Sequence, residues 1–183
     1  MTPVEFSDIC PIADKDFHNE MTILVQEPAL QQIMSLLAPQ YSWSQLKKVL
    51  LSLNSKHEFQ TVVMKQVIEG LLAKTTAGLT QSGIEQLDKE GAYTFITNHR
   101  DIVLDATQLG YLLVMNGGES CEVAIGNNLL IYDWIKKLVR LNRSFIVKRN
   151  LGKIQTLQAA VQLSSYIHFA INEKKQSVCI AQR

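Results

Sequence analysis

YTFITNHRDIVLDATQLGYLL, residues 93–113, joins a short strand pattern to a helix pattern, and the rest of the chain repeats this combination. Four segments rich in β-branched or aromatic residues predict buried strands: AYTFITN (92–98), CEVAIGN (121–127), RSFIVKR (143–149) and SVCIAQ (177–182). The segments between them carry apolar residues at helical spacing: 101–116, 128–141 and 151–173. This order predicts an α/β fold with right-handed crossovers and a mostly parallel sheet that has helices on both faces.

The first half of the chain has a different pattern, and we therefore predict a boundary near residue 85. Apolar residues recur at i, i+3, i+4 and i+7 in ALQQIMSLLA (29–38), SWSQLKKVLLSL (42–53) and FQTVVMKQVIEGLLAKT (59–75). Ser42 or Ser44 is expected to cap the second helix, and Asn54 or Ser55 the third. Residues 1–85 are thus predicted to form a helical unit and residues 86–183 the first part of an α/β domain. The first 20 residues, with two prolines, are expected to run irregularly over the surface.

Composition limits the classes of protein to which the chain can belong. With 183 residues and 46% hydrophobic content it is globular. No uncharged apolar run approaches the roughly 18 residues of a membrane span, so any membrane role is expected to be peripheral. The widely spaced Cys10, Cys121 and Cys179 predict reduced, mostly buried thiols and a cytoplasmic protein, and no residue spacing suggests a metal site.

Charge is distributed unevenly along the chain. Residues 1–90 carry a net charge of −4 and no arginine, whereas residues 136–153 contain seven basic residues and no acid. Such a difference indicates that the basic region meets an anion, although a basic run is more often an ordinary solvated face. Arg140 and Arg143 either extend an anion-binding face or compensate the dipole at the end of a helix, and we favour the dipole.

The predicted topology brings three candidate groups to one edge of the sheet. Ligands of parallel sheets bind beyond the carboxyl ends of the strands. His99 follows the first predicted strand, and Lys148 and Arg149 end the third. A histidine is suited to general-base chemistry because its unperturbed pKa lies near working pH.

NHRDIVLD (98–105), followed about forty residues later by NRSFIVKR (142–149), resembles the first two sequence blocks of the glycerolipid acyltransferases. These enzymes acylate glycerol 3-phosphate or lysophosphatidic acid. AIGNNLL (124–130) is also similar to the segment that usually precedes the second block. The resemblance runs from about residue 92 to the C-terminus and does not include the helical half.

The resemblance implies a direct acyl transfer with no cofactor. His99 would be the general base for the acceptor hydroxyl, and Asp105 would orient its imidazole. Arg149 would hold the phosphate of the acceptor, with Lys148 and Arg100 as further cations of the substrate site. The implied partners are acyl-CoA or acyl-carrier protein, a phosphate-bearing glycerol or lysophospholipid acceptor, and a membrane surface in peripheral contact; no nucleic acid is expected. The implied location is the cytoplasm or the inner face of the membrane.

The chain departs from the family pattern in two places. The family has four residues between its histidine and acid, whereas five separate His99 from Asp105. Asp101 is therefore an alternative partner, but we favour Asp105 because Asp101 stands where a helix N-cap is expected. The chain also ends at Arg183, where a third block containing a Glu-Gly pair would begin. We therefore expect an N-terminal fragment that is weak or inactive alone, and whose sheet, cut after its fourth strand, leaves an exposed edge and part of its core uncovered.

A second hypothesis needs no catalysis. The basic edge would then bind phosphate, lipid head groups or a partner protein, and the chain would be a binding module. On this hypothesis Lys148 and Arg149 matter for binding, whereas His99 does not.

Overall fold

The computed structural model describes residues 5–98, 100–101 and 104–182. Its first half is helical, as predicted. The elements are α1 (Asp14–Leu24), α2 (Pro28–Leu37), α3 (Trp43–Ser52), α4 (Lys56–Glu58) and α5 (Lys65–Thr75), with a π-helical stretch (Phe59–Met64) that joins α4 to α5.

The second half alternates strands and helices in the predicted order. Its elements are β1 (Thr94–Asn98), α6 (Leu104–Met115), β2 (Glu122–Gly126), α7 (Asp133–Leu141), β3 (Ser144–Val147), α8 (Lys153–Asn172) and β4 (Val178–Gln182). Short 3-10 turns lie at Ile84–Gln86 and Asn127–Leu129. The four strands are all parallel, which confirms the predicted α/β class.

The order of strands across the sheet is β1-β4-β2-β3. β4 pairs with β1 from Thr94↔Val178 to Asn98↔Gln182, and on its other side it pairs with β2. The fourth strand is an inner strand, because the connection through α8 returns the chain into the gap between β1 and β2. The edge strands are β1 and β3.

The segment before α1 is part of the core rather than an irregular surface course. Ile9 is almost fully buried, and its carbonyl accepts a hydrogen bond from the Ile146 N–H of β3 at 2.9 Å. The expectation for the first 20 residues is wrong because this segment covers part of the outer edge of β3, which would otherwise expose unpaired backbone groups.

Helices cover both faces of the sheet, as predicted. On one face, Leu113 and Leu109 of α6 pack with Cys121, Val123 and Cys179. On the other face, Tyr166 and Ala170 of α8 pack against residues of the strands. The strand residues in this core are Phe145, Val178 and the partly buried Ala124. All three cysteines are free thiols, and Cys121 and Cys179 are buried.

The helical unit has its own core, built around Phe17, Leu30, Leu50 and Phe59. Leu141 of α7 is buried in the same cluster, so α7 connects this core to the sheet. The caps resolve the sequence alternatives. Ser42 forms a capping box with Gln45 at the start of α3, and the Ser55 hydroxyl accepts the Glu58 N–H at the start of α4.

α8 is the longest described helix, at 20 residues. Its second half buries Tyr166 and Ala170, whereas residues 153–158 are all exposed. Within the described part of the chain, no helix has both the length and the apolar character that crossing a membrane requires.

Candidate functional site

The candidate groups flank the carboxyl edge of the sheet but do not form one cluster. β1 ends at Asn98, and β3 ends at Val147, just before Lys148 and Arg149. Two strands lie between β1 and β3, so their ends are roughly 14 Å apart at the usual strand spacing. His99 lies outside the described residues. Among the residues that are described, no hydrogen bond or ion pair links Asp105 with Lys148 or Arg149.

Asp105 lies in the first turn of α6, and its carboxylate turns back toward the preceding loop. Its Oδ2 accepts the backbone N–H groups of Arg100 at 2.8 Å and of Asp101 at 3.0 Å. Both donors belong to the NHRD segment (98–101), which contains the predicted base. Oδ1 accepts no hydrogen bond from a described residue, so one carboxylate oxygen is left for another donor.

Asp101 has a capping role, as expected from the sequence. Its Oδ1 accepts the Leu104 N–H at 2.7 Å, which satisfies a backbone donor at the start of α6. The carboxylate that turns toward the NHRD loop is therefore that of Asp105, and Asp101 stabilises the helix end. Arg100 is exposed, and its backbone N–H also lies 3.1 Å from the Asn98 carbonyl.

Two buried thiols lie beneath the first turn of α6. A hydrogen bond to Cys179, together with burial, raises the pKa of Cys121. The same thiol pair lowers the pKa of Cys179, and the negative charge of Asp105 opposes this shift. Because that charge acts on Cys179, the Asp105 carboxylate lies on the α6 side of the sheet, near β4.

Arg149 lies across the end of the neighbouring strand. A Cβ atom on Gly126 would be only 2.9 Å from Arg149 Nε and 3.2 Å from its Cδ. The Asn127 side chain fixes the backbone here, because its Oδ1 accepts the Arg149 N–H at 2.8 Å. The Arg149 guanidinium is exposed and has no ion pair or side-chain hydrogen bond with another described residue. It is therefore available to an anion.

Lys148, by contrast, is already paired. Its ammonium forms an ion pair with Asp8 and donates a hydrogen bond to Gln162 Oε1 at 2.9 Å. Burial raises the pKa of Asp8, but the hydrogen bond and charge of Lys148 outweigh it, so the pKa lies below its usual value. The Asp8–Lys148 ion pair therefore contributes stability at pH values above the pKa of Asp8 in the unfolded chain. That contribution is lost as the pH falls through the lower pKa that Asp8 has in the folded protein.

The two arginines near α7 also have protein partners. Arg140 donates from Nε to the Cys10 carbonyl and from Nη2 to the Ser7 carbonyl, each at 2.7 Å. Arg143 is buried, has a left-handed backbone (φ 57°) and forms an ion pair with Glu119. Arg140 therefore anchors the N-terminal segment to the end of α7, while Arg143 supports the interior.

A buried network of charged side chains was not predicted from the sequence. Glu122, at the start of β2, is almost fully buried and accepts a hydrogen bond from the Tyr166 hydroxyl at 2.5 Å. Lys174, just beyond α8, forms an ion pair with the other carboxylate oxygen. Burial and the charge of Glu122 raise the pKa of Tyr166. The acid at the head of an otherwise apolar strand was the available signal, because a charge there must be paired.

Two concave regions lie away from this edge. One, of about 460 Å³, lies between the N-terminal segment and α8 and is lined by Phe6, His168 and Phe169 among others. The other, of about 420 Å³, lies between α5 and α6 beside Leu72, Tyr111 and Met115. Neither is lined by Asp105 or Arg149.

Comparison with known proteins adds no relative from which residue roles could be transferred. The sequence matches no protein-family model and no curated protein. Residue roles are therefore inferred from the geometry of the sheet edge and from the resemblance of NHRDIVLD and NRSFIVKR to the acyltransferase blocks.

Proposed function

We propose that this chain carries the base and the acceptor-binding residues of an acyltransferase. The reaction moves a fatty acyl group from acyl-CoA or acyl-carrier protein to a hydroxyl of a glycerol-phosphate or lysophospholipid acceptor. The observation that best supports it is the sheet edge itself. Arg149 lies across Gly126 with no ion pair to another described residue, and at the same edge the Asp105 carboxylate accepts the backbone N–H of Arg100, the residue after His99 in the sequence.

In the proposed reaction, His99 removes the proton from the acceptor hydroxyl as the oxygen attacks the thioester carbonyl. The C–O bond of the new ester forms, the C–S bond breaks, and the imidazolium returns its proton to the departing thiolate. Asp105 stabilises the imidazolium and favours the productive tautomer. No cofactor takes part.

Arg149 binds the acceptor phosphate in this scheme. A guanidinium presents two parallel N–H donors to a phosphate, and Arg149 has no described protein partner to displace. The end of β2, over which it lies, is one strand nearer to β1 than its own backbone, so roughly 10 Å separates the two strand ends. A small acceptor bound between Arg149 and the NHRD segment would span this distance. The proposed location is cytoplasmic, at the inner face of the membrane.

The second candidate function is a non-catalytic module for phosphate or lipid head groups. The separation of the two groups favours it, because in the described residues an anion on Arg149 needs nothing from Asp105. The two functions predict different behaviour of the same protein toward a thioester donor.

The deciding experiment measures ester formation from radiolabelled acyl-CoA and acyl-carrier protein. Glycerol 3-phosphate and lysophosphatidic acid serve as acceptors, and phosphate-free glycerol and monoacylglycerol serve as matched controls. We expect slow ester formation with the phosphate-bearing acceptors and at least tenfold less with their controls, since a charge-assisted phosphate contact contributes about 1.5–3 kcal/mol. Binding of glycerol 3-phosphate without ester formation from either donor would instead support the binding module.

Gly126→Ala should weaken phosphate binding without unfolding the protein. The Gly126 backbone has φ −67°, which alanine adopts readily, but the new Cβ would lie 2.5 Å from Asn128 Oδ1 and 2.9 Å from Arg149 Nε, so both side chains would have to shift. We expect about a tenfold rise in the Kd for glycerol 3-phosphate by calorimetry.

Arg149→Met provides the matched comparison for this variant. It should raise the Kd at least as far as Gly126→Ala does, and the double variant should add little to Arg149→Met because both changes act on one contact. An additive double variant would show that Gly126 acts independently of Arg149.

A further inference from the structure

The outer face of α8 changes from apolar to polar along its length. Ile154, Leu157 and Val161 are 76%, 67% and 55% exposed, and their spacing places them in one stripe about 10 Å long. Farther along the same face, the exposed residues are Ser164 and His168. The apolar half of the helix is the half that begins at the carboxyl edge of the sheet.

The loop after β2 adds to this stripe at the same edge. Ile131 is 80% exposed, and Tyr132 is also exposed. The loop and the turn before α8 are held together by the hydrogen bond from the Arg149 N–H to Asn127 Oδ1. We use the name apolar patch for the exposed residues of these two segments: Ile131, Tyr132, Leu151, Ile154, Leu157 and Val161.

The segments that carry the apolar patch have more basic than acidic residues, although Asp133, exposed beside Tyr132, and Asp8, which bonds Gln162, are acidic. Lys136, Arg149 and Lys153 are exposed, and none of them forms an ion pair with another described residue. Residues 134–172 contain no aspartate or glutamate, and the acid nearest to the patch along the chain is Asp133, in the first turn of α7. Exposed apolar residues scattered singly need no explanation, but a contiguous patch with a cationic border marks an interaction surface.

We propose that the apolar patch rests on an anionic lipid bilayer. Isoleucine, leucine and valine side chains on a convex helix enter the boundary between head groups and acyl chains, and tyrosine suits that boundary. The surrounding cations attract anionic head groups. The proposal names the surface for membrane contact and does not require catalysis.

The test is flotation of the full chain with vesicles. Vesicles of equal parts phosphatidylcholine and phosphatidylglycerol should carry the protein, whereas vesicles of phosphatidylcholine alone should carry at least tenfold less. Ile154→Ser combined with Leu157→Ser should reduce binding to the anionic vesicles at least tenfold. Ile131→Ser changes a separate loop and should also weaken binding to the anionic vesicles. This variant tests the patch independently if the α8 variant folds poorly.

Leu36→Ser is the matched control, because Leu36 is 78% exposed on α2, in the helical unit. It should leave vesicle binding unchanged. The proposal is overturned if the wild-type chain does not float with anionic vesicles, if both vesicle types carry it equally, or if Leu36→Ser weakens binding as much as the patch variants do. It is also overturned if the patch variants keep vesicle binding but lose affinity for acyl-carrier protein, since the patch would then bind an acidic protein. Acyl transfer is not measured, so these outcomes are separate from the test of the reaction.

Discussion

Asp105→Asn should lower kcat for acyl transfer on the order of 10⁴-fold while the protein stays folded. The asparagine retains an oxygen that can accept the Arg100 and Asp101 N–H groups, so the loop keeps its two hydrogen bonds. It loses the negative charge that stabilises an imidazolium and selects its tautomer, an effect of this size in other histidine–carboxylate pairs. The measurements are steady-state kinetics and the melting temperature.

His99→Ala is the companion variant, with a similar or larger loss of kcat and unchanged binding of glycerol 3-phosphate. If the two residues act as one unit, the double variant should be no slower than His99→Ala alone. A kcat for Asp105→Asn within about threefold of the wild-type value would mean that the carboxylate only organises the loop. Asp105→Ala, which removes the acceptor as well, would then show its cost in the melting temperature.

Lys174→Met should destabilise the protein by about 3 kcal/mol. It removes the cation from Glu122, which is almost fully buried and would retain only the Tyr166 hydroxyl. Breaking a buried ion pair from one side costs about 3–5 kcal/mol, and the lower end applies because about a third of the Lys174 side chain is exposed. For a protein of this size the melting temperature should fall by about 6–12 °C.

The control for this prediction is the double variant Lys174→Met/Glu122→Gln. The amide removes the buried charge, so the double variant should be more stable than Lys174→Met alone. Urea unfolding measures both. If the two substitutions destabilise additively, the Lys174–Glu122 contact is not the source of the effect.

The local patterns in the sequence predicted most of the elements, and the reasons for the failures are specific. The four strands were found because their β-branched and aromatic runs are short and bounded by turn residues. α1 was missed, although Phe17, Met21 and Leu24 are spaced for one helix face and are all buried, because nearby prolines suggested irregular structure. We have no physical account of the π-helical stretch at Phe59–Met64.

Local sequence patterns could not predict the order of the strands in the sheet or the pairing of charged side chains. The sequence predicted that Arg149 and Lys148 lie at one edge. It did not indicate that Lys148 forms an ion pair with Asp8, whereas Arg149 forms none with a described residue. Such pairs depend on long-range packing, as does the position of β4 between β1 and β2. The capping role of Asp101 was predicted correctly because capping is a local interaction.

The strand order also determines when the candidate site can assemble during synthesis. In the described part of the chain, β1 pairs with β4 alone, so the strand that leads into NHRD has no described partner until β4 has left the ribosome. The nascent chain therefore holds an unsatisfied strand edge while α6, β2, α7, β3 and α8 are being made, a state that favours association with chaperones or with other chains. Pairing of β1 with β4 joins residues that are far apart in the sequence, and such contacts form slowly, so the β1 side of the candidate site is ordered only after β4 has been made.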